Sequence, residues 1–255
     1  MDELKKLNYF FIAGGQRCGT TYLSNILDSH PSVCMAKPAR PEPKFFLSET
    51  CMKKGLNYYL DTYFRDLNKD ISDLKIGEKS TSYIEYEFVP FRVKCLFPNA
   101  KCIIILRNPV DRALSNYFFS LKNGIETRTL EEVFILKMKP PKINAKISVS
   151  PFKYYERGIY SKYIRPYIDA FQDNLKVVIF EELISSTQEK EDLFSFLGLD
   201  FGLSSPRNPN KNNLDYSEFG SENIEEVRKT LSSLYIKEIN KLEIILNKNL
   251  SLWKK

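Results

Sequence analysis

Gly14-Gly15-Gln16-Arg17-Cys18-Gly19-Thr20-Thr21 stands between an apolar run, Tyr9-Phe10-Phe11-Ile12-Ala13, and a segment whose apolar residues fall at positions 22, 23, 26 and 27. The apolar run is typical of a buried strand, and the spacing of the later residues predicts an amphipathic helix. Small residues between a strand and a helix expose backbone N–H groups to an anion at the helix N-terminus. The sequence therefore predicts a phosphate-binding loop over residues 14–21.

The cation of this loop is in an unusual position. A nucleotide-hydrolysing P-loop has Lys directly after its second glycine, where it reaches the β- and γ-phosphates. Here that position is Thr20, and the cation lies inside the loop, at Arg17. We therefore expect the loop to hold a phosphate, but not the β/γ-phosphates and Mg²⁺ of ATP.

Length and composition favour one globular domain. The chain has 255 residues, of which 43% are hydrophobic, enough for one α/β domain or at most two small ones. We predict a single domain over residues 1–255. The formal charge of +6 suits an anionic ligand, but charge alone favours a charged surface without any ligand. The basic residues are spread along the chain, so we expect no nucleic-acid partner.

The same data argue against several other classes of protein. No apolar run approaches the ~20 residues of a membrane span, and the first six residues lack the apolar core of a signal peptide. The five cysteines are odd in number and include no CxxC pair, so neither a disulfide framework nor a zinc site is expected. With one histidine in the chain, we also predict no metal. A cytoplasmic location fits this cysteine usage.

The order of strand-like and helix-like segments predicts an α/β fold with a mostly parallel central sheet and helices on both faces. Strands are predicted over residues 9–13, 74–77, 102–106 and 177–180. Helices are predicted over residues 20–28, 55–64, 86–95, 109–121, 129–137, 159–171, 187–197 and 221–247.

A second anion-binding signature follows the strand over 102–106. It reads Arg107-Asn108-Pro109-Val110-Asp111-Arg112-Ala113-Leu114-Ser115. Asn108 suits the N-cap of a helix and Pro109 suits its first position. Ser115 lies two helical turns after Asn108, so it returns to the face on which the helix begins. Arg107 and the Ser115 hydroxyl can therefore share one anion, with a capped helix and a solvated Arg107 as the alternative.

Two anion sites at the ends of strands suit a nucleotide that is phosphorylated at two positions. We expect Arg17's loop and the Arg107/Ser115 corner to bind one such molecule.

These residues resemble the sulfotransferases that use 3′-phosphoadenosine 5′-phosphosulfate. The loop over 14–21 is similar to their 5′-phosphosulfate loop, and Arg107 with Ser115 is similar to their 3′-phosphate motif. The resemblance is greatest to the branch with the heparan sulfate N- and 3-O-sulfotransferases and their bacterial relatives. The further matches are Ser29-His30-Pro31, Glu42-Pro43-Lys44-Phe45-Phe46, Gly55-Leu56-Asn57-Tyr58-Tyr59, Gly77-Glu78-Lys79-Ser80 and Gly158-Ile159-Tyr160.

The resemblance implies a three-layer α/β/α fold of the P-loop NTPase type and transfer of a sulfuryl group to a hydroxyl or amine of a carbohydrate or glycolipid. It makes Glu42 the catalytic base, and it implies no metal. Arg17, Lys79 and Lys44 are the cations expected to stabilise charge on the leaving 5′-phosphate. The family usually has Lys where this chain has Arg17. The residues implied in cofactor binding are Gly15, Gln16, Arg17, Cys18, Gly19, Thr20, Thr21, Arg107, Ser115, Tyr160, Arg207 and Lys211.

Some of these assignments have alternatives. Tyr160 can pack in the core, and Arg207 and Lys211 can belong to a plain surface loop, because the family's Lys-Gly-Arg core is missing there. Glu78 beside Lys79 is interpreted as a strand-end ion pair. The whole chain can also be a small-molecule kinase or a catalytically silent nucleotide-binding module. The acceptor is expected to be selected by loops over 36–55 and 138–155.

Overall fold

The computed structural model of the chain describes residues 7–65, 74–142, 150–204 and 223–254. The chain divides into two compact units. The first comprises Met1–Leu106 and Tyr163–Pro209, and the second comprises Arg107–Lys162 and Asn210–Lys255. One domain over 1–255 stays a prediction. In the described ranges, no helix is both long and apolar enough to cross a bilayer.

The first unit contains a five-stranded sheet with the order β2-β3-β1-β4-β5. Every pairing in it is parallel, which confirms the predicted α/β class. The strands are β1 (Asn8–Ile12), β2 (Val33–Met35), β3 (Lys75–Lys79), β4 (Lys101–Leu106) and β5 (Leu175–Ile179).

Helices connect these strands and make up most of the described part of the second unit. They are α1 (Thr20–Asp28), α2 (Glu49–Lys53), α3 (Gly55–Tyr63), α4 (Val89–Leu96), α5 (Pro109–Lys122), α6 (Leu130–Phe134), α7 (Tyr160–Phe171), α8 (Phe180–Ser185), α9 (Thr187–Leu197) and α10 (Ile224–Leu246). The 3-10 turns are Phe45–Leu47, Thr81–Glu85, Glu156–Gly158, Gln172–Asn174, Phe201–Leu203 and Ser251–Lys254.

Most predicted helices are present, with shifted ends that have local causes. The helix predicted over 129–137 is wrong in length. It starts with a capping box between Thr129 and Glu132 and ends at Phe134, and Lys137 already has a left-handed backbone (φ 51°). The strand predicted over 177–180 runs over Leu175–Ile179, because Phe180 begins α8. The short strand β2 was not predicted.

The sheet order creates a point at which ligands of open α/β sheets bind. From the central strand β1 the chain adds β2 and β3 on one side, and then crosses to add β4 and β5 on the other. The switch therefore lies between the carboxyl ends of β1 and β4. Phe10, Phe11 and Ile12 pair with Lys101, Cys102 and Ile103. The predicted phosphate loop follows β1, and Arg107 is the first residue after β4.

Aromatic residues dominate the core of the first unit on one side of the sheet. The ring centroid of Phe97 lies 4.0 to 6.3 Å from the ring centroids of Tyr9, Phe11, Phe46 and Tyr59. All five side chains are buried. This packing fixes the segment that carries Phe46 against the sheet.

In the second unit, α5 begins as predicted. The Asn108 Oδ1 accepts a hydrogen bond from the Val110 N–H at 2.9 Å, and Pro109 occupies the first turn. Tyr117, Phe134 and Tyr154 form a buried aromatic cluster with edge-to-face and tilted contacts.

Candidate active site

The loop after β1 continues the parallel ladder and then turns sharply into α1. The Ala13 and Gly15 N–H groups donate to the carbonyls of Ile103 and Ile105 at 3.0 and 3.3 Å. The Cys18 N–H then donates to the Gly15 carbonyl, and Arg17 has a left-handed backbone with φ 67°. Cys18 is fully buried. The predicted loop is therefore a tight strand-to-helix turn.

Gly19 is the N-cap of α1, and its glycine identity has two physical reasons. Its φ is +91°, which L side chains rarely adopt, and an added Cβ would lie 2.3 Å from the Phe180 ring. α1 has nine residues, and within the described residues no side chain caps its first N–H groups. This geometry fits an anion at the loop.

We predict that Gly19→Ala lowers the free energy of unfolding by about 2–4 kcal/mol, since left-handed strain and the ring clash add. The matched control is Gly55→Ala. Gly55 has a similar φ of +82°, but an added Cβ there meets no heavy atom of the described residues within 4 Å. It should lose about 1 kcal/mol. Urea unfolding of both variants measures the difference, and equal losses would show that Phe180 does not restrict the loop.

Glu42 and Lys79 form a largely buried ion pair in the first unit. The Lys79 Nζ lies 2.9 Å from the Glu42 Oε1, and their side chains are only 8% and 14% exposed. The other carboxylate oxygen, Oε2, accepts from both the N–H and the hydroxyl of Thr81 at 2.9 Å. Three donors therefore fix this carboxylate. The sequence predicts functional roles for Glu42 and Lys79 in two separate motifs, and the structure places the two side chains in contact.

The Glu42 site lies beside the start of the phosphate loop. The Ser80 N–H donates to the Ile12 carbonyl at 3.1 Å, and the Ile84 N–H donates to the Ala13 carbonyl at 2.9 Å. The segment that carries Thr81 is thus bonded to the last residues before the loop. This contact follows from the parallel pairing of β1 with β3.

The predicted strand-end ion pair between Glu78 and Lys79 is wrong. Successive side chains of a strand point to opposite faces, so the two neighbours cannot pair with each other here. Lys79 turns to Glu42, whereas Glu78 is buried and accepts from the Tyr59 and Ser80 hydroxyls at 2.7 and 2.6 Å. Burial raises the pKa of Glu78, and the hydroxyl donors partly offset that shift.

Lys44 takes a strained position two residues after Glu42. Its backbone is left-handed, with φ 50°, at the start of the turn Phe45–Leu47. Its N–H donates to the Ser80 hydroxyl at 3.0 Å, and its side chain is partly exposed. The backbone of this catalytic candidate is therefore held by a residue of the β3 end.

A polar cleft opens next to Lys79. Its walls come from α1, from the end of β2 and the segment after it, and from Lys79 itself. Asp28 and Lys37 form an ion pair at 2.6 Å among them. The lining residues are Ser24, Asn25, Asp28, Met35, Ala36, Lys37, Ala39, Pro43 and Lys79.

The second predicted anion motif lies in the other unit. Arg107 is partly exposed, and Ser115 is buried on α5. The Tyr160 hydroxyl donates to the Arg107 carbonyl at 2.7 Å, and the Tyr160 ring packs against Trp253. Tyr160 is 1% exposed, so it packs in the core and also holds the Arg107 backbone. Arg207 and Lys211 lie outside the described residues.

Thr81 is the functional candidate that sequence reasoning missed. It makes two hydrogen bonds to Glu42, but it had no motif of its own. The available signal was its place two residues after Lys79, where a strand end and a turn meet. Within the described residues, no group of three or more His, Cys, Asp or Glu side chains is arranged to hold a metal ion.

Comparison with known proteins finds similarity to sulfotransferases. Residues 7–243 match the family model described as "Sulfotransferase domain". The chain is 38% identical over 122 residues to bifunctional heparan sulfate N-deacetylase/N-sulfotransferase 2 of Homo sapiens, covering 47% of this chain and 14% of that protein. It is 28% identical over 197 residues to heparan sulfate glucosamine 3-O-sulfotransferase 3B1 of Mus musculus, covering 76% of this chain and 47% of that protein.

The chain thus spans less than half the length of each of these two relatives. A solved sulfotransferase from Alicyclobacillus acidocaldarius is similar over 97% of this chain and 99% of that one, with a TM-score of 0.75 and 24% identity. That likeness shows a common fold.

Proposed function

We infer from its membership of the sulfotransferase domain family that this chain is an enzyme of the sulfotransferase class. We propose that its donor is 3′-phosphoadenosine 5′-phosphosulfate. The proposed acceptor is a hydroxyl or amine of a carbohydrate or glycolipid. The observation that supports this most strongly is the Glu42 carboxylate, held by Lys79 and Thr81 beside the start of the predicted anion-binding loop. Acid–base chemistry and charge stabilisation are thus available next to each other.

Glu42 is the proposed base. An ionised carboxylate has about four acceptor positions, and three of them are used by Lys79 and Thr81. The remaining position is on Oε1, and it takes the proton of the acceptor. The acceptor oxygen or nitrogen then forms a bond to sulfur, while the bond from sulfur to the 5′-phosphate oxygen breaks. The electron pair of that bond leaves on the phosphate.

The cations act on that leaving group. Charge grows on the 5′-phosphate during transfer, so cations that are already in place lower the barrier. We assign this role to Arg17, Lys79 and Lys44. The backbone of Gly15, Gln16, Cys18 and Gly19 and the hydroxyls of Thr20 and Thr21 complete the proposed 5′-phosphate contacts.

For the 3′-phosphate we propose Arg107 and the Ser115 hydroxyl. Arg presents a planar fork of donors that matches phosphate oxygens. Tyr160 supports this assignment through its hydrogen bond to the Arg107 carbonyl. Arg207 and Lys211 remain proposed contacts from the sequence alone. The chemistry needs no metal, and the cytoplasmic location stays a prediction from cysteine usage.

The polar cleft beside Lys79 is the proposed acceptor site, since Lys79, the ion-pair partner of Glu42, lines it. We predict that Ala39→Trp, which fills this cleft, raises the KM for the acceptor at least about tenfold, because it removes binding equally from ground state and transition state. Glu191→Trp, on the exposed face of α9, is the control and should change nothing. Steady-state kinetics measure both, and an unchanged KM for Ala39→Trp would place the acceptor elsewhere.

The experiment that tests the function is transfer of labelled sulfate from the donor to a panel of glycans, glycolipids and phenols, with EDTA present. We expect label on glycans or glycolipids. Phosphate transfer from ATP with Mg²⁺ would instead identify a small-molecule kinase. A catalytically silent binding module would bind the donor without labelling any acceptor.

A further inference from the structure

Glu78 is a buried carboxylate that the proposed chemistry does not use. It is 1% exposed on β3, and it accepts from the Tyr59 hydroxyl on Oε2 and from the Ser80 hydroxyl on Oε1. Burying a carboxylate is costly, so two hydroxyl donors around one such group need an explanation.

The Ser80 hydroxyl connects Glu78 to the segment that carries Glu42. It donates to the Glu78 Oε1 at 2.6 Å, and its oxygen accepts the Lys44 N–H at 3.0 Å. A hydroxyl that gives its proton to a carboxylate presents its lone pairs to other donors. The backbone contact at Lys44 therefore depends on the direction in which Glu78 turns the Ser80 hydroxyl.

We propose that Glu78 is a positioning residue: by orienting the Ser80 hydroxyl, it fixes the backbone at Lys44 and so sets the place of Glu42. This rests on the proposed role of Glu42 as base. The neighbouring residue of the strand, Lys79, binds the Glu42 side chain directly. The end of β3 thus holds the catalytic segment at two points. Glu78 acts on the backbone of the segment through Ser80, and Lys79 binds the Glu42 carboxylate.

The need for such an anchor is visible in the backbone. Lys44 is left-handed, a conformation that costs about 1 kcal/mol or more for a residue with a side chain. The Lys44 N–H bond to Ser80 offsets that cost. Without the anchor, the segment over 42–46 can relax, and a shift of about 1 Å in a catalytic group lowers a rate by about 100-fold.

The test compares Ser80→Ala and Glu78→Gln with Tyr59→Phe. Ser80→Ala cuts the connection between Glu78 and Lys44. Tyr59→Phe removes a donor from the same carboxylate and keeps the ring packing, but the Tyr59 hydroxyl makes no contact with the 44–46 backbone among the described hydrogen bonds. Three quantities are measured: amide hydrogen exchange at Lys44, turnover, and the Kd of adenosine 3′,5′-bisphosphate.

For Ser80→Ala we expect at least about tenfold faster exchange at Lys44 and about 10- to 100-fold lower kcat, with the Kd of the bisphosphate within twofold. Glu78→Gln should speed exchange at Lys44 and lower kcat by a similar factor. Tyr59→Phe should keep exchange and kcat within about threefold of wild type. Unchanged exchange in Ser80→Ala, or equal losses of kcat in Ser80→Ala and Tyr59→Phe, would overturn the proposal. A wild-type chain that labels no acceptor would contradict the proposed function, while the exchange rates would still decide on the anchor.

Discussion

We expect Glu42→Gln to lower sulfate transfer by about 10²- to 10⁴-fold, because the amide cannot take the acceptor's proton. The donor contacts are assigned to other residues, so the Kd of adenosine 3′,5′-bisphosphate should stay within about twofold of wild type. The variant keeps the volume of the side chain and one oxygen for Thr81. Single-turnover transfer from labelled donor measures the chemical step, and titration calorimetry measures the binding.

The control is Glu49→Gln. Glu49 follows Glu42 by seven residues, and its side chain is 75% exposed beside Arg92. A solvent-exposed pair of this kind contributes little, so the control should keep full turnover. Sulfate transfer at the wild-type rate by Glu42→Gln would contradict the assignment of Glu42 as the base. Loss of bisphosphate binding together with turnover would mean that Glu42 organises the donor site instead.

The second large effect is expected at Arg17. Arg17→Ala removes a cation from the leaving 5′-phosphate, and loss of one such group costs about 10²- to 10³-fold in kcat. Arg17→Lys restores the charge and should recover turnover to within about tenfold of wild type. Both variants place an L residue at the same left-handed position, φ 67°, so backbone strain is equal in the two. Their difference isolates the charge.

The measurement is kcat for the two variants under saturating donor. An Arg17→Ala variant with wild-type kcat would show that the loop cation is not part of the chemistry. A Lys variant as inactive as the Ala variant would show that the forked geometry of the guanidinium, and not its charge, is what the reaction uses.

The parts of the fold that the sequence predicted are those with strong local patterns. The apolar run of β1, the glycines of the loop and the 3.6-residue spacing of α1 all lie within 20 residues, and each agrees with the structure. The cap of α5 at Asn108 also depends on neighbouring residues only. In contrast, β2 has only three residues, which is too short for an alternation of apolar and polar residues to identify it as a strand.

The candidate site was predictable as a set of residue types, but not as an arrangement. Glu42 and Lys79 are 37 residues apart, and only the pairing of β1 with β3 brings the end of β3 to the loop. The predicted strand stopped at residue 77, which hid the alternation that sends Glu78 and Lys79 to opposite faces. The family resemblance selected Glu42, whereas Thr81 and the anchoring by Glu78 emerge only from long-range contacts.

The most direct measurement for the donor assignment is a calorimetric titration of the wild-type chain with adenosine 3′,5′-bisphosphate, with 5′-AMP, and with ATP plus Mg²⁺. We expect the 3′,5′-bisphosphate to bind at least about tenfold more tightly than 5′-AMP, so that the 3′-phosphate contributes about 1.4 kcal/mol, and we expect EDTA to leave this binding unchanged. Equal affinity for the bisphosphate and 5′-AMP, or tighter binding of ATP with Mg²⁺, would contradict it.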